Sequence, residues 1–474
     1  MSEIIAGGTA KDLKRSVLIV SAFAAFLTPF MGSAITLALP AIGKAMNASA
    51  VQLGWVASSF ILSSALFLLP FGKLADITGR KKIFTIGIVL FTFSTFLVIF
   101  CNTIEFLIAL RILQGVASAM IFGTSLAILT SVFEPGERGK AMGINITAVY
   151  AGLSGGPVIG GFLTQYFGWK SIFYFLFPIG LISLILIFTK IKNEWMESKG
   201  EKFDWPGSVI YGFSLAAFMY GFSKLPATSG WVILLSGIVA GLAFLLWEKR
   251  VEYPVFDINL VLKNKVFAFS GLAALIHYSA TSAIGFFMSL YLQYLHGLDA
   301  RSAGLIMISQ PIAMTVVSPL AGKLSDKKNP GVIASAGMAM TAAGLIVLCF
   351  ITADTPHSLI VVLLGIMGIG FGLFSSPNSN AIMSSVEKKH LGVASGVVGT
   401  MRMVGQMLSM GIAMMLLSVF IGGKDAINPS NYNVLLNAMK TGFVIFSVLC
   451  VFGIFASLAR NNSITINGQK NGKN

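Results

Sequence analysis

The chain has 474 residues, 55% of them hydrophobic and only 11% charged, where soluble domains carry about 25% charged residues. Together with a mean hydropathy of +0.84, this excludes a large water-soluble core. The net charge of +15 does not indicate a nucleic-acid partner, because most of the 33 Lys and Arg fall on one side of an alternating pattern of apolar spans.

A helix needs about 20 apolar residues to cross the hydrocarbon layer. Fourteen such stretches are predicted in chain order, at 17–40, 52–71, 83–102, 105–131, 141–164, 171–190, 206–223, 231–247, 267–294, 302–322, 331–352, 358–384, 391–421 and 439–460. The runs are continuous rather than alternating, so they are read as helices and not as barrel strands. With the N-terminus inside, the basic residues on the outer side reduce to Lys44, Lys170, Lys224, Arg301, Lys424 and Lys440, which predicts cytoplasmic termini in a cell membrane, most simply that of a prokaryote. Basic loops beside the bilayer also suit anionic lipid headgroups. The first span is too long for a secretory signal, so no cleavage is expected.

Two loops repeat. GKLADITGRKK begins at Gly72 and GKLSDKK at Gly322. Eight predicted spans separate them, so equivalent positions in two similar halves require six spans per half and two more between. This gives a first bundle at 1–190, a two-helix insertion with polar flanks at 191–265, and a second bundle with a short tail at 266–474. The first loop includes Gly79; its Asp76 and the cations Arg80, Lys81 and Lys82 are read as a charge cluster at a helix end, and Asp326 belongs to the second loop. The cluster is read either as a conformational hinge or as a basic loop that only fixes topology.

Four motifs in order make the chain resemble the major facilitator superfamily, in particular its fourteen-span drug:proton antiporter branch. They are the first loop, ALRILQG at Ala109–Gly115, GLSGGPVIGG at Gly152–Gly161, and GVASGVVGTMRMVGQMLSMG at Gly392–Gly411. The resemblance implies an all-helical secondary transporter of two six-helix bundles plus two central helices, which exports amphipathic small molecules against protons by alternating access. It implies no cofactor and no enzymatic activity, and a monomer is expected. An exporter of organic anions or fatty acids is the alternative reading, and a membrane-embedded hydrolase a remote one.

Individual residues sharpen this. Arg111 is a permanent cation inside span four, with Gln114 and Gly115 on the following turn; such a residue needs either a partner on a neighbouring helix or a wet cavity. Arg402 with Gln406 repeats the pattern in span thirteen. Gly152, Gly156, Gly160 and Gly161 permit close helix approach, and Pro157 leaves a backbone carbonyl free. By the resemblance, this stretch is the flexing seam of an exporter. His277 is the titratable group expected deepest in the core, with Tyr278, Phe287 and Tyr291 on the same span; it is read as an interhelical histidine or as a proton carrier. Thr36, Asn145, Tyr150, Asn378 and Asn380 complete the candidate cavity.

Related antiporters often carry an Asp in span one, where Met31 stands here, counted back from Pro40. All acidic residues are placed in loops or at span ends. Gly152-Leu153-Ser154-Gly155-Gly156 has the spacing of a hydrolase elbow but lies within a glycine-rich span, without the strand that such an elbow needs. Cys101, Cys349 and Cys450 lack metal-ligand or disulfide-framework spacing, and no metal site is expected.

Overall fold

The structure is a computed structural model and describes residues 2–471 apart from 257, 259–263, 326, 387–390, 423 and 424. Asp326, expected in the second loop, lies outside the described residues. Among the described residues there is no strand.

Six long helices come first: α1 (Ser2–Met46), α2 (Ala50–Thr78), α3 (Arg80–Leu97), α4 (Ile104–Val132), α5 (Pro135–Phe167) and α6 (Ser171–Lys190). A hairpin follows, of α7 (Trp205–Lys224) and α8 (Thr228–Glu248). The last six are α9 (Lys265–Leu295), α10 (Ala300–Ser325), α11 (Pro330–Leu348), α12 (His357–Ser384), α13 (Leu391–Phe420) and α14 (Tyr432–Asn471). Thirteen of them are long and apolar enough to cross a membrane; α7, which covers the expected span 206–223, is the one outside that set.

Local chemistry sets the ends. Ser49 caps α2 in a reciprocal box with Gln52, and Thr103, Asp204, Asn264, Asp299 and Asn329 cap α4, α7, α9, α10 and α11. Gly79 turns the chain between α2 and α3 at φ 122°, a conformation closed to most side chains. Span α9 is interrupted after Thr281 and ends in a π turn at Tyr291–Leu295.

Helix pairing repeats. In the first group α1 packs on α4, α5 and α6, α4 packs on α2 and α3, and α3 on α6. The same pairs recur eight helices later: α9 on α12, α13 and α14, α12 on α10 and α11, and α11 on α14. Between the groups, α2 lies along α13 and α5 along α10, contacts that exchange under the same eight-helix shift. Helix α7 packs on α8 and also touches both α2 and α13.

Four hydrogen bonds between the groups lie at the end of the molecule away from the two basic loops, here called the far end. There Ser289 Oγ donates to the Thr36 carbonyl at 2.6 Å, and Gln293 Nε2 to the Leu37 carbonyl at 3.0 Å. The amide of Ala50 donates to the Asp425 carbonyl at 3.1 Å, and Arg301 Nη1 to the Tyr166 hydroxyl at 2.9 Å. At the opposite, basic end, Gly143, Ile144, Ile146 and Thr147 of α5 are exposed.

Candidate functional site

Span α5 explains its own glycines. A Cβ on Gly152 would meet the Phe26 carbonyl at 2.7 Å, one on Gly156 the Ser33 Cβ at 2.5 Å, and one on Gly160 the Ala34 Cβ at 2.5 Å. The spacing of four puts all three on the face against α1, where only small residues allow the backbones to meet. Gly161 faces α10 instead, its added Cβ falling 2.5 Å from the Ala300 carbonyl. A Cβ on Gly304 of α10 would in turn collide with the Pro157 carbonyl. Pro157 has no N–H for the carbonyl of Leu153, and Ser33 Oγ takes that place by donating to it at 3.1 Å. One stripe thus packs α5 within its group and its neighbour packs α5 across to the other.

Arg111 is 1% exposed and is held inside the first group. Its Nε donates to the Val56 carbonyl at 3.1 Å, its Nη1 to Gln114 Oε1 at 2.9 Å, and its guanidinium lies 4.5 Å from the centre of the Phe60 ring. Gln114 reaches on to Thr95 at 3.4 Å. A Cβ at Gly115 would strike Ser63 and the Phe60 carbonyl, so the glycine brings α4 close enough to α2 for the arginine to bridge. The cation is satisfied by a carbonyl and a π face rather than by an acid.

Arg402 differs. Half-buried on α13, it places its guanidinium 5.5 Å from the centre of the Phe122 ring of α4, across the boundary between the groups. Its Nε is buried and has no hydrogen-bond partner among the described residues. Tyr150 of α5 is half-buried one turn before Ser154, Ser318 of α10 is buried one turn after Thr315, and Tyr278 of α9 packs edge-on against Phe371 of α12 at 5.6 Å. Ser154 and Thr315 meet at 3.5 Å. The two halves therefore meet at Phe122 and Arg402 on α4 and α13, and at Ser154 and Thr315 on α5 and α10.

The other candidates are packed elsewhere. His277, fully buried, stacks on Phe374 at 4.0 Å and lies 4.9 Å from Phe371, both on α12; neither ring nitrogen finds a hydrogen-bond partner among the described residues. Phe287 sits among Phe286, Phe443 and Phe446. Tyr291 donates to the Thr352 carbonyl near the far end. Thr36 Oγ1 bonds back to Gly32, Asn145 Nδ2 bonds to the Ser21 carbonyl of α1, and Gln406 is half-buried one turn beyond Arg402. Asn378 ties α12 to the Ser270 carbonyl of α9, and Asn380 ties it to Ser325 of α10.

The first basic loop is bound by the polar flank before α7, which reads in the sequence as a linker. Arg80, 5% exposed, donates to Asp76 at 2.7 Å, to both oxygens of Glu197 at 2.7 and 2.8 Å, and to Ser131 at 2.9 Å. Glu194 accepts from the amides of Lys81 at 2.8 Å and Lys82 at 3.2 Å, a carboxylate at the start of α3. Glu201 pairs with Lys73 at 2.5 Å, and Ser198 N–H donates to the Asp76 carbonyl at 3.0 Å. The strap from 191 to 204 therefore clasps the loop from one side. Gly72 has open space where a Cβ would stand, but its backbone lies 3.4 Å from a Cβ built on Gly123 of α4.

The family model of the Major Facilitator Superfamily matches residues 21–410 and 270–471. This chain belongs to the major facilitator superfamily. It is 32% identical over 389 residues to the riboflavin transporter RibZ of Clostridioides difficile (strain 630), a match covering 81% of this chain and 84% of that one. It is 28% identical over 423 residues to the methylenomycin A resistance protein of Streptomyces coelicolor, covering 87% of each. Among solved structures it resembles a bacterial homolog of the human lysosomal transporter Spinster, in an inward-facing and unoccupied conformation, with a TM-score of 0.66 and 17% identity over 95% of this chain and 97% of that one. These are transporters, in fold and in relatives, and the protein is a multi-pass membrane protein.

Proposed function

We propose that the protein is a secondary exporter of amphipathic small molecules, exchanging them for protons across a cytoplasmic membrane with its basic end and both termini inside. In this reading 1–190 and 266–474 are the two moving bundles and 191–265 the insertion, the chain working as a monomer. In this reading the contacts gathered at the far end and the exposed face of α5 at the basic end correspond to an inward-facing state. The observation that carries the proposal is the meeting of Arg402 with Phe122 and of Ser154 with Thr315 across the bundles, with Tyr150 and Ser318 one turn away, rings and hydroxyls suited to a flat ligand with polar edges. Relatives named for riboflavin and for antibiotic resistance are consistent with such ligands.

A second reading, an exporter of organic anions, is favoured by one feature: Arg402 presents a buried Nε donor without an acceptor among the described residues. Counterflow in proteoliposomes with anionic, neutral and cationic fluorescent dyes separates the two. Under the anion reading Arg402→Ala lowers anion counterflow roughly tenfold more than that of neutral dyes, the effect of about 1.4 kcal/mol. Equal losses for all charges leave the amphipathic reading, and unchanged counterflow removes Arg402 from the site.

A further inference from the structure

Two carboxyls 44 positions apart in sequence are buried together where α7 begins and α8 ends. Asp204 is 6% exposed and Glu248 2%. A Cβ added at Gly207 would collide with Asp204 Oδ2 and lie 2.8 Å from Glu248 Oε1, so both oxygens crowd one glycine. Asp204 is well supplied with donors: the Gly207 amide at 3.0 Å and Trp247 Nε1 at 3.2 Å to each oxygen. Glu248 Oε2 accepts from the Phe256 amide at 2.9 Å, and its Oε1 is buried with no partner. No cation is ion-paired with either carboxyl among the described residues; Lys202, Lys249, Arg250 and Glu252 flank them but are exposed, and Lys73 is engaged by Glu201.

Two apposed carboxylates without a cation repel each other, and a single proton held between them removes the repulsion while giving the orphan oxygen a hydrogen bond. The segment anchored by Glu248 matters. Phe256 and Ile258 pack with Leu69 of α2, Tyr211 and Phe244 of the hairpin, Phe267 of α9, Ile382 of α12 and Val397 of α13. These residues come from both bundles, at the basic end of the α2–α13 seam.

We propose that Asp204 and Glu248 form a one-proton site whose occupancy holds Val255, Phe256 and Ile258 against both bundles. Loss of the proton sets two negative charges side by side, draws Glu248 off the Phe256 amide and frees the segment from the seam. The inference does not depend on the direction or the substrate of transport.

The test uses the full-length protein in lipid nanodiscs. Hydrogen exchange of the Phe256 amide, localised with overlapping peptides and corrected for the intrinsic pH dependence of amide exchange, is followed from mildly acid to mildly alkaline buffer, alongside the infrared band of protonated carboxyl. The expected result is a rise of roughly tenfold in corrected exchange, the size of one pKa unit of coupling, with parallel loss of the band. Glu248→Gln and Asp204→Asn each leave one carboxyl and keep the shape, so both abolish the step; if one variant fails to fold, the other decides. Exchange independent of pH in the wild type, or a step that persists in the variants, overturns the proposal. Protection conferred at fixed pH by sodium or calcium chloride identifies a cation site and also overturns it.

Discussion

Arg111 and Arg402 are both permanent cations within apolar helices, and their surroundings separate their roles. Arg111 spends its donors on Val56 and Gln114 and its face on Phe60, all in the first bundle. Removing it leaves a buried carbonyl and a buried amide short of a partner, at about 2 kcal/mol. Arg111→Ala should lower the unfolding temperature of the purified transporter and abolish transport, and Arg111→Lys should rescue little of either because an ammonium cannot reproduce the planar fork. Near-normal melting and transport in the alanine variant would contradict this. That Arg111 matters was legible in the sequence, since a charge inside an apolar run signals itself; its acceptors were not, because a backbone carbonyl on another helix leaves no mark in the residue pattern. Asp204 and Glu248 show the reverse. Each reads as an ordinary helix-end acid, and only the pairing of α7 with α8 makes them one site.

At the scale of elements, the glycines of α5 do two jobs that one sequence motif conflates. Gly156 faces α1 and Gly161 faces α10, so substitutions should separate packing within a bundle from packing between bundles. Gly156→Val overpacks the α1 contact and should destabilise the isolated protein by about 1–3 kcal/mol, read as a lower melting temperature in detergent. An unchanged melting temperature would show that α1 yields there. The strap offers a second test. Asp76→Asn leaves Arg80 held by Glu197 and Ser131, so insertion should be normal and transport slower, while adding Glu197→Gln should deepen the defect. Turnover equal to wild type at equal membrane abundance in the double variant would reduce the loop to a topological signal. The loop and its cations were readable from sequence; the acids that clasp them lie more than a hundred residues away in a polar stretch that looks like a plain linker.

At the scale of the molecule, the repeat of two short loops predicted two similar halves, and the packing repeats pair by pair with a shift of eight helices. What the sequence could not supply is which end is closed. That depends on small contacts such as Ser289 to Thr36 and Gln293 to Leu37, made by residues common in any helix. His277 reads in the sequence as an interhelical histidine or a proton carrier, and its ring stacks on Phe374 of α12 within the second bundle. The central claim is that a proton gradient drives these two bundles to move an amphipathic molecule outward. The most direct measurement is accumulation of fluorescent anionic, neutral and cationic amphiphiles, riboflavin among them, by inside-out vesicles with an imposed acid-inside gradient and no ATP. Accumulation of at least one class is expected, abolished by a protonophore and by Arg111→Ala; accumulation indifferent to the gradient, or none for any class, would rule out proton-driven export.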